Sequence, residues 1–234
     1  MKVVLISLSL FFLLLACTSN TEEDSQKSVS ENSSPVLNDE KEVSVSIPII
    51  LFFGNSLTAG YLLEMEQAFP ALIQQKIDSL DLEYEVRNSG VSGETSTGGD
   101  SRIEFVLNTL TEPLAVFVLE LGANDGLRGI APPETEKSLQ SILNKVKTAY
   151  PECQILLCGM EAPPNMGDDF TNAFREILPK LVSTNHVSFL PFLLDGVAGN
   201  PELNLADGIH PTPEGHKIVA GNVWESLEPL LGKE

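Results

Sequence analysis

One serine in this sequence is placed as a reactive group would be. Ser56 follows an apolar run and stands between glycines in LFFGNSLTAGY, residues 51–61. Acyl transfer by a serine needs a general base, a group that orients the base, and donors aimed at the developing oxyanion. Alone, a serine ahead of a helix reads as an N-cap. A base is offered by DGIHP, where Asp207 precedes His210 by three residues. A carboxylate that close can accept the imidazole N–H, fix its tautomer and stabilise the charged ring. Thr212 and Pro213 read as the cap and first position of a last helix, which holds His210 just outside a helix start. Without the other loops, Asp207 and His210 read as turn and loop residues. His216 is the rival base, but it lies on the expected last helix with no carboxylate three residues before it, and packing or surface duty suits it better. His186 opens a strand and has no comparable partner. Asn124, in GANDGLRG, carries an amide that could donate to an oxyanion, or could form an Asn-Asp turn. Gly93, in VSGET, could bring its backbone N–H close because it has no side chain.

Other chemistries lack their motifs. The glycine-rich stretch 90–99 has neither the lysine of a phosphate-binding loop nor a G-x-G-x-x-G. Ser56 is not in a G-x-S-x-G elbow, which excludes an α/β-hydrolase assignment. No Cys/His spacing fits a zinc site, and the three histidines do not cluster with cysteines. Neither a metal nor an organic cofactor is expected. Cys153 and Cys158 flank a strand-like CQILLC; five strand steps of about 3.3 Å each exceed the ~4.4–6.8 Å that a disulfide spans. Two buried free thiols are expected there.

The elements that would position these groups recur regularly. Residues 44–54, 84–90, 114–122, 153–160 and 186–193 read as strands, and three of these runs are apolar on both faces, as parallel strands covered by helices are. Amphipathic stretches near 66–80, 99–110, 134–149, 169–183 and 213–231 alternate with them. Such alternation implies a doubly wound parallel sheet, with ligands bound beyond the carboxyl ends of the strands. Ser56, Gly93, Asn124, Asp207 and His210 all lie in loops after a strand or just before the last helix.

The chain outside this domain has a different composition. Residues 1–17, MKVVLISLSLFFLLLAC, have the layout of a secretory signal. Leu14-Leu15-Ala16-Cys17 resembles a bacterial lipobox, so Cys17 is the expected site of lipidation, a membrane tether and a cell-envelope location; a plain signal peptide or an anchor helix is the alternative. Residues 18–45 are rich in Ser, Glu and Asn and read as a flexible tether, leaving 46–234 as one folded domain. The net charge of −19 makes nucleic acid and anionic lipid faces unsuitable partners. A small-molecule substrate and a monomeric chain are expected.

Together, FGNSLTAGY, SGETS, GANDGLRG and DGIHP resemble the SGNH, or GDSL, hydrolase family, nearest its bacterial thioesterase I, lysophospholipase L1 and arylesterase group. The similarity runs over nearly all of residues 46–231 and maps the four naming residues onto Ser56, Gly93, Asn124 and His210. It implies a three-layer α/β/α sandwich on a five-stranded, mainly parallel, flavodoxin-like sheet. It also implies a serine hydrolase of aryl, short or medium acyl esters, lysophospholipids or thioesters. Ser56 would attack, His210 would carry the proton, Asp207 would orient the ring, and the N–H groups of Ser56 and Gly93 with the Asn124 amide would bind the oxyanion. One departure stands out: the family usually carries Asp where this chain has Asn55, which keeps the size and one acceptor but drops the charge. Leu127, Met160, Pro163 and Met166 are expected to wall an acyl pocket, although each also suits ordinary loop packing. A carbohydrate O-acetylesterase, and an inactive envelope-binding protein on the same fold, are the alternatives.

Overall fold

A computed structural model describes residues 46–161 and 164–232. The expectations placed on residues 1–45, Cys17 included, and on Pro163 lie outside the described residues. Five strands form one sheet: β1 (Ile49–Gly54), β2 (Glu85–Gly90), β3 (Leu114–Glu120), β4 (Gln154–Cys158) and β5 (Ser188–Leu190). Their order is β2-β1-β3-β4-β5, and every neighbouring pair is parallel. This is the flavodoxin-like order, in which the chain leaves β1 towards one neighbour and returns to pair its other edge. The crevice at that reversal lies beyond the carboxyl end of β1, where Ser56 is.

Strand β1 explains why there are three layers. Its side chains alternate between two cores, as the twofold period of a strand requires. Ile49, Leu51 and Phe53 join a core with Ile103 and Leu107 of α3 (Ser96–Asn108) and with Leu139, Ile142, Leu143 and Val146 of α5 (Pro132–Ala149). Ile50 and Phe52 join the other core, with Phe69, Ile73 and Ile77 of α2 (Phe69–Ser79) and Val219, Val223 and Leu227 of α8 (Pro213–Leu227). All six residues of β1 are buried.

The structure departs from the sequence reading in several places. The stretch expected as one helix over 169–183 is two, α6 (Asp168–Arg175) and α7 (Ile177–Asn185). Pro179 has no N–H to give the Arg175 carbonyl, so the ladder breaks there. The last helix ends at Leu227, and a 3-10 turn over Glu228–Leu230 follows where Pro229 withholds its donor. Two of the loops contain short helices, α1 (Ser56–Ala59) and α4 (Ala123–Arg128). The last strand is only three residues long, and His186 is the left-handed cap of α7, not a strand residue. Cys158 is a buried free thiol as expected, but Cys153 is only partly buried. Among the described residues no helix is long and apolar enough to cross a membrane.

Candidate active site

The serine arrives on a turn whose capping leaves its hydroxyl available. Asn55, not Ser56, is the N-cap of α1: its Oδ1 accepts the Leu57 N–H at 2.9 Å. Ser56 is therefore the first helical residue, where a backbone N–H has no intrahelical acceptor. Its hydroxyl lies 2.8 Å from His210 Nε2, and His210 Nδ1 lies 2.7 Å from Asp207 Oδ2. With the Nδ1 proton assigned towards the carboxylate, Nε2 is left to accept the Ser56 O–H. The chain Asp207–His210–Ser56 spans 154 residues between its last two members.

The segment around His210 is held by its own backbone. Asp207 Oδ1 accepts the N–H groups of Ile209 (2.9 Å) and His210 (3.0 Å), so Asp207 is both a turn residue and the partner of the ring. The Leu205 N–H donates to the His210 carbonyl at 2.7 Å, and Thr212 caps α8 as the sequence suggests. The His210 side chain and its backbone N–H, then that of Ile209, hold the Asp207 carboxyl down at about 2. The ring of Tyr61 lies against His210 with centroids 4.5 Å apart, restricting the swing of the imidazole.

Gly93 and Asn124 are brought to this rim by a braced segment. The Val91 N–H donates to the Gly54 carbonyl at 2.9 Å, tying residues 91–94 to the end of β1. On the other side, Asn124 Nδ2 donates to the Glu94 carbonyl at 3.0 Å and Arg128 donates to the Gly93 carbonyl at 2.8 Å. Gly93 has φ +80, a conformation that a residue with a side chain resists. Arg102 on α3 clamps the base of the segment, donating to Ser89 Oγ (3.0 Å) and its carbonyl (2.9 Å) and pairing with Glu94 at 2.6 Å. Asp125, buried beside Asn124, accepts from the backbone and hydroxyl of Ser96 and from Thr135, which fixes α4 against α3 and α5.

A carboxylate lies beneath the serine turn. Glu120, at the end of β3, is fully buried. It accepts Asn55 Nδ2 (2.6 Å), Asn55 N (3.1 Å), Thr58 Oγ1 (2.8 Å) and Thr58 N (3.3 Å). Burial pushes its carboxyl up to about 7, even with those four donors pulling it down. His216, the rival base, is buried and bonded elsewhere; its Nδ1 accepts the Phe69 N–H at 3.0 Å, and burial holds it down at about 4. Of the residues expected to wall a pocket, Leu127 is exposed on α4 and Met166 lies against Gly129 just beyond it. Met160 faces a small apolar cavity with Leu121, Gly122 and Phe174. Among the described residues no group of three or more metal-ligating side chains is assembled.

Sequence reasoning passed over Glu120, Tyr61, Arg102, Arg128 and Asp125. A signal existed for the first: one carboxylate ending the apolar run LAVFVLE on a strand buried on both faces.

A model of the GDSL-like Lipase/Acylhydrolase family matches residues 52–218. The chain belongs to that family. Esterase TesA of Pseudomonas aeruginosa is 36% identical over 182 residues, covering 78% of this chain and 89% of that protein. The thioesterase 1/protease 1/lysophospholipase L1 of Escherichia coli is 38% identical over 185 residues, covering 79% of this chain and 86% of that one. The crystal structure of AlinE4, an SGNH-hydrolase family esterase, superposes with a TM-score of 0.65 at 35% identity, covering 80% of this chain and 97% of its own. The GDSL resemblance read from the four motifs is thus the family itself, and the chain is a carboxylic ester hydrolase on the family's α/β fold.

Proposed function

We propose that Ser56 is the nucleophile of a two-step ester hydrolysis with His210 as its base. The observation that carries this is the continuous hydrogen-bonded chain Asp207–His210–Ser56. As Ser56 Oγ adds to the ester carbonyl, its proton passes to Nε2, and the Asp207 carboxylate stabilises the charged ring. The carbonyl oxygen becomes an oxyanion, received by the Ser56 and Gly93 N–H groups and by Asn124 Nδ2. Collapse expels the alcohol or thiol, which takes the proton from Nε2 and leaves an acyl-serine. Water, deprotonated by the same nitrogen, then releases the acid. Side chains and backbone supply every group that these steps use, so no cofactor is invoked.

The surroundings favour acyl chains as substrates. Tyr61, Leu62, Met65, Val91, Leu127 and Ile209 are all exposed, and all lie on segments beyond the carboxyl ends of the strands or just before α8. An apolar rim suits an acyl or aryl ester better than a sugar. We read Leu127 and Met166, with Met160, as its acyl-side wall. The signal-like residues 1–17 support a cell-envelope location with Cys17 lipidated, and the domain acts as a monomer.

The test is hydrolysis of p-nitrophenyl acetate and butyrate. The native protein should turn over both, and Ser56→Ala should lose activity by about 10,000-fold or more. Turnover that survives the substitution removes Ser56 from the mechanism. A panel from acetylated xylan to long lysophospholipids then fixes the class, with acyl lipids expected ahead of the polysaccharide.

A further inference from the structure

The serine turn rests on a hydrogen-bonded chain whose direction is forced. The Leu57 backbone N–H can only donate, so the Asn55 atom facing it at 2.9 Å is the oxygen. The Asn55 nitrogen must then face the other way, and there it meets Glu120 Oε1 at 2.6 Å. Two amide hydrogens point outward from that nitrogen, so Glu120 Oε1 has to accept. Glu120 Oε2 meets two further backbone N–H groups and the Thr58 hydroxyl. Three N–H donors and one hydroxyl converge on two oxygens, a set that favours the carboxylate against the burial that opposes it. At the far end of the chain, Asn55 Oδ1 lies 3.4 Å from the Ser56 hydroxyl.

We propose that Glu120 is a positioning residue for Ser56, acting through the Asn55 amide. Its carboxylate compels Nδ2 to donate inward, which presents Oδ1 to the Leu57 N–H and sets the turn that aims the Ser56 hydroxyl at His210. Glu120 touches no reacting atom. The inference rests on Ser56 being the nucleophile. What it adds is that residues 55 and 120 must be one donor and one acceptor, whichever position carries the charge.

That statement is open to an exchange experiment. Glu120→Gln sets an amide nitrogen against the Asn55 nitrogen, two donors with nothing between them. Asn55→Asp sets two acids at hydrogen-bond distance, so a donor faces an acceptor only while the pair holds one proton between them. The double variant Asn55→Asp/Glu120→Gln restores a donor facing an acceptor. The new amide nitrogen at position 120 donates to the new carboxylate at position 55, and the amide oxygen at position 120 keeps the other three donors. The total charge is that of the native protein. The readouts are the rate of Ser56 labelling by a phosphonate ester, kcat and KM on p-nitrophenyl butyrate, and the melting temperature. Glu120→Gln should lose about 10- to 100-fold in labelling rate and kcat, the scale of one unsatisfied buried polar group, with KM nearly unchanged, and Asn55→Asp should lose as much only at a pH high enough to strip the shared proton. The double variant should recover to within about threefold of native.

A double variant no faster than Glu120→Gln overturns the proposal. So does one that recovers its melting temperature but not its labelling rate, because Glu120 is then structural only. If the single variants do not fold, the same cycle is read from folding together with labelling of the double variant: a double variant that folds and labels supports the proposal, and one that does not fold overturns it. If Ser56 is not the nucleophile, Ser56→Ala retains turnover while the melting-temperature cycle still closes, so the two failures are told apart.

Discussion

At the scale of single residues, the candidate site was legible where its chemistry is local. Asp207 and His210 are three residues apart, and a carboxylate beside an imidazole is an informative pair at any position. Glu120 was hidden because what it binds is 65 residues away, and no spacing rule connects LAVFVLE to GNSLT. Asn55 was noticed as a departure, but its partner could not be read from the sequence. The Asp207 carboxyl is held at about 2, below the ordinary 3.8, so its hydrogen bonds contribute stability above pH 3.8 that is lost as pH falls through 2. Asp207 therefore stays ionised wherever the enzyme works, and the activity profile should show no Asp207 step between pH 4 and 9. Asp207→Asn should lower kcat by about 10,000-fold with KM little changed. The new amide nitrogen would face Nδ1, the imidazole would carry its proton on Nε2, and the Ser56 hydroxyl would lose its acceptor. Steady-state kinetics with p-nitrophenyl butyrate checks this, and an unchanged kcat would show that the carboxylate does not set the tautomer.

At the scale of elements, long runs were legible and short ones were not. Strands β1, β3 and β4 announce themselves because burial on both faces leaves all but an end residue apolar. Helices α1 and α4 have only four and six residues, too few for periodicity to emerge. Tertiary partners make them: Glu120 under α1, and Ser96 and Thr135 around Asp125 in α4. Close packing here makes a sharp prediction for Gly54. A Cβ there would stand 2.1 Å from Thr58 Oγ1 and 2.6 Å from Glu120 Oε2, so Gly54→Ala must displace the α1 turn from the carboxylate. It should cost both stability, by about 1–3 kcal/mol, and activity, and chemical denaturation alongside the ester assay measures the two together. His216 makes a second prediction, on α8. Burial holds it at about 4 against an ordinary 6.5, so the folded state binds fewer protons than the unfolded chain between those values. The neutral ring's contribution is complete above pH 6.5 and is lost as pH falls towards 4. Moving from pH 7.5 to pH 5 should remove about 2 kcal/mol through this group. His216→Asn keeps an acceptor for the Phe69 N–H without the titration, and should flatten the fall in urea-unfolding free energy over that range. An equally steep fall would place the acid sensitivity elsewhere.

At the scale of the whole molecule, the net charge of −19 acts on every encounter with substrate. The fold does not depend on it, because both cores are apolar and most ion pairs are partly exposed. Its effect is a negative field over the surface, which lowers the local concentration of anionic esters and leaves neutral ones unaffected. Salt screens such a field over about 10 Å at 0.1 M and about 30 Å at 0.01 M. Raising salt from about 0.01 to about 0.3 M should therefore increase kcat/KM for a carboxylate-bearing aryl ester several-fold, while a neutral aryl ester of the same leaving group changes by less than about twofold. The gain should appear in KM, since the field acts on approach and the chemistry at Ser56 is shielded within the turn. Arg128 at the Gly93 segment works against this expectation, being a cation close to the site. If it dominates locally, the anionic ester will instead lose rate with salt, and Arg128→Gln will restore the gain. Equal salt responses for the two esters would mean that neither the global nor the local charge reaches the substrate, and that selection rests on the apolar rim alone.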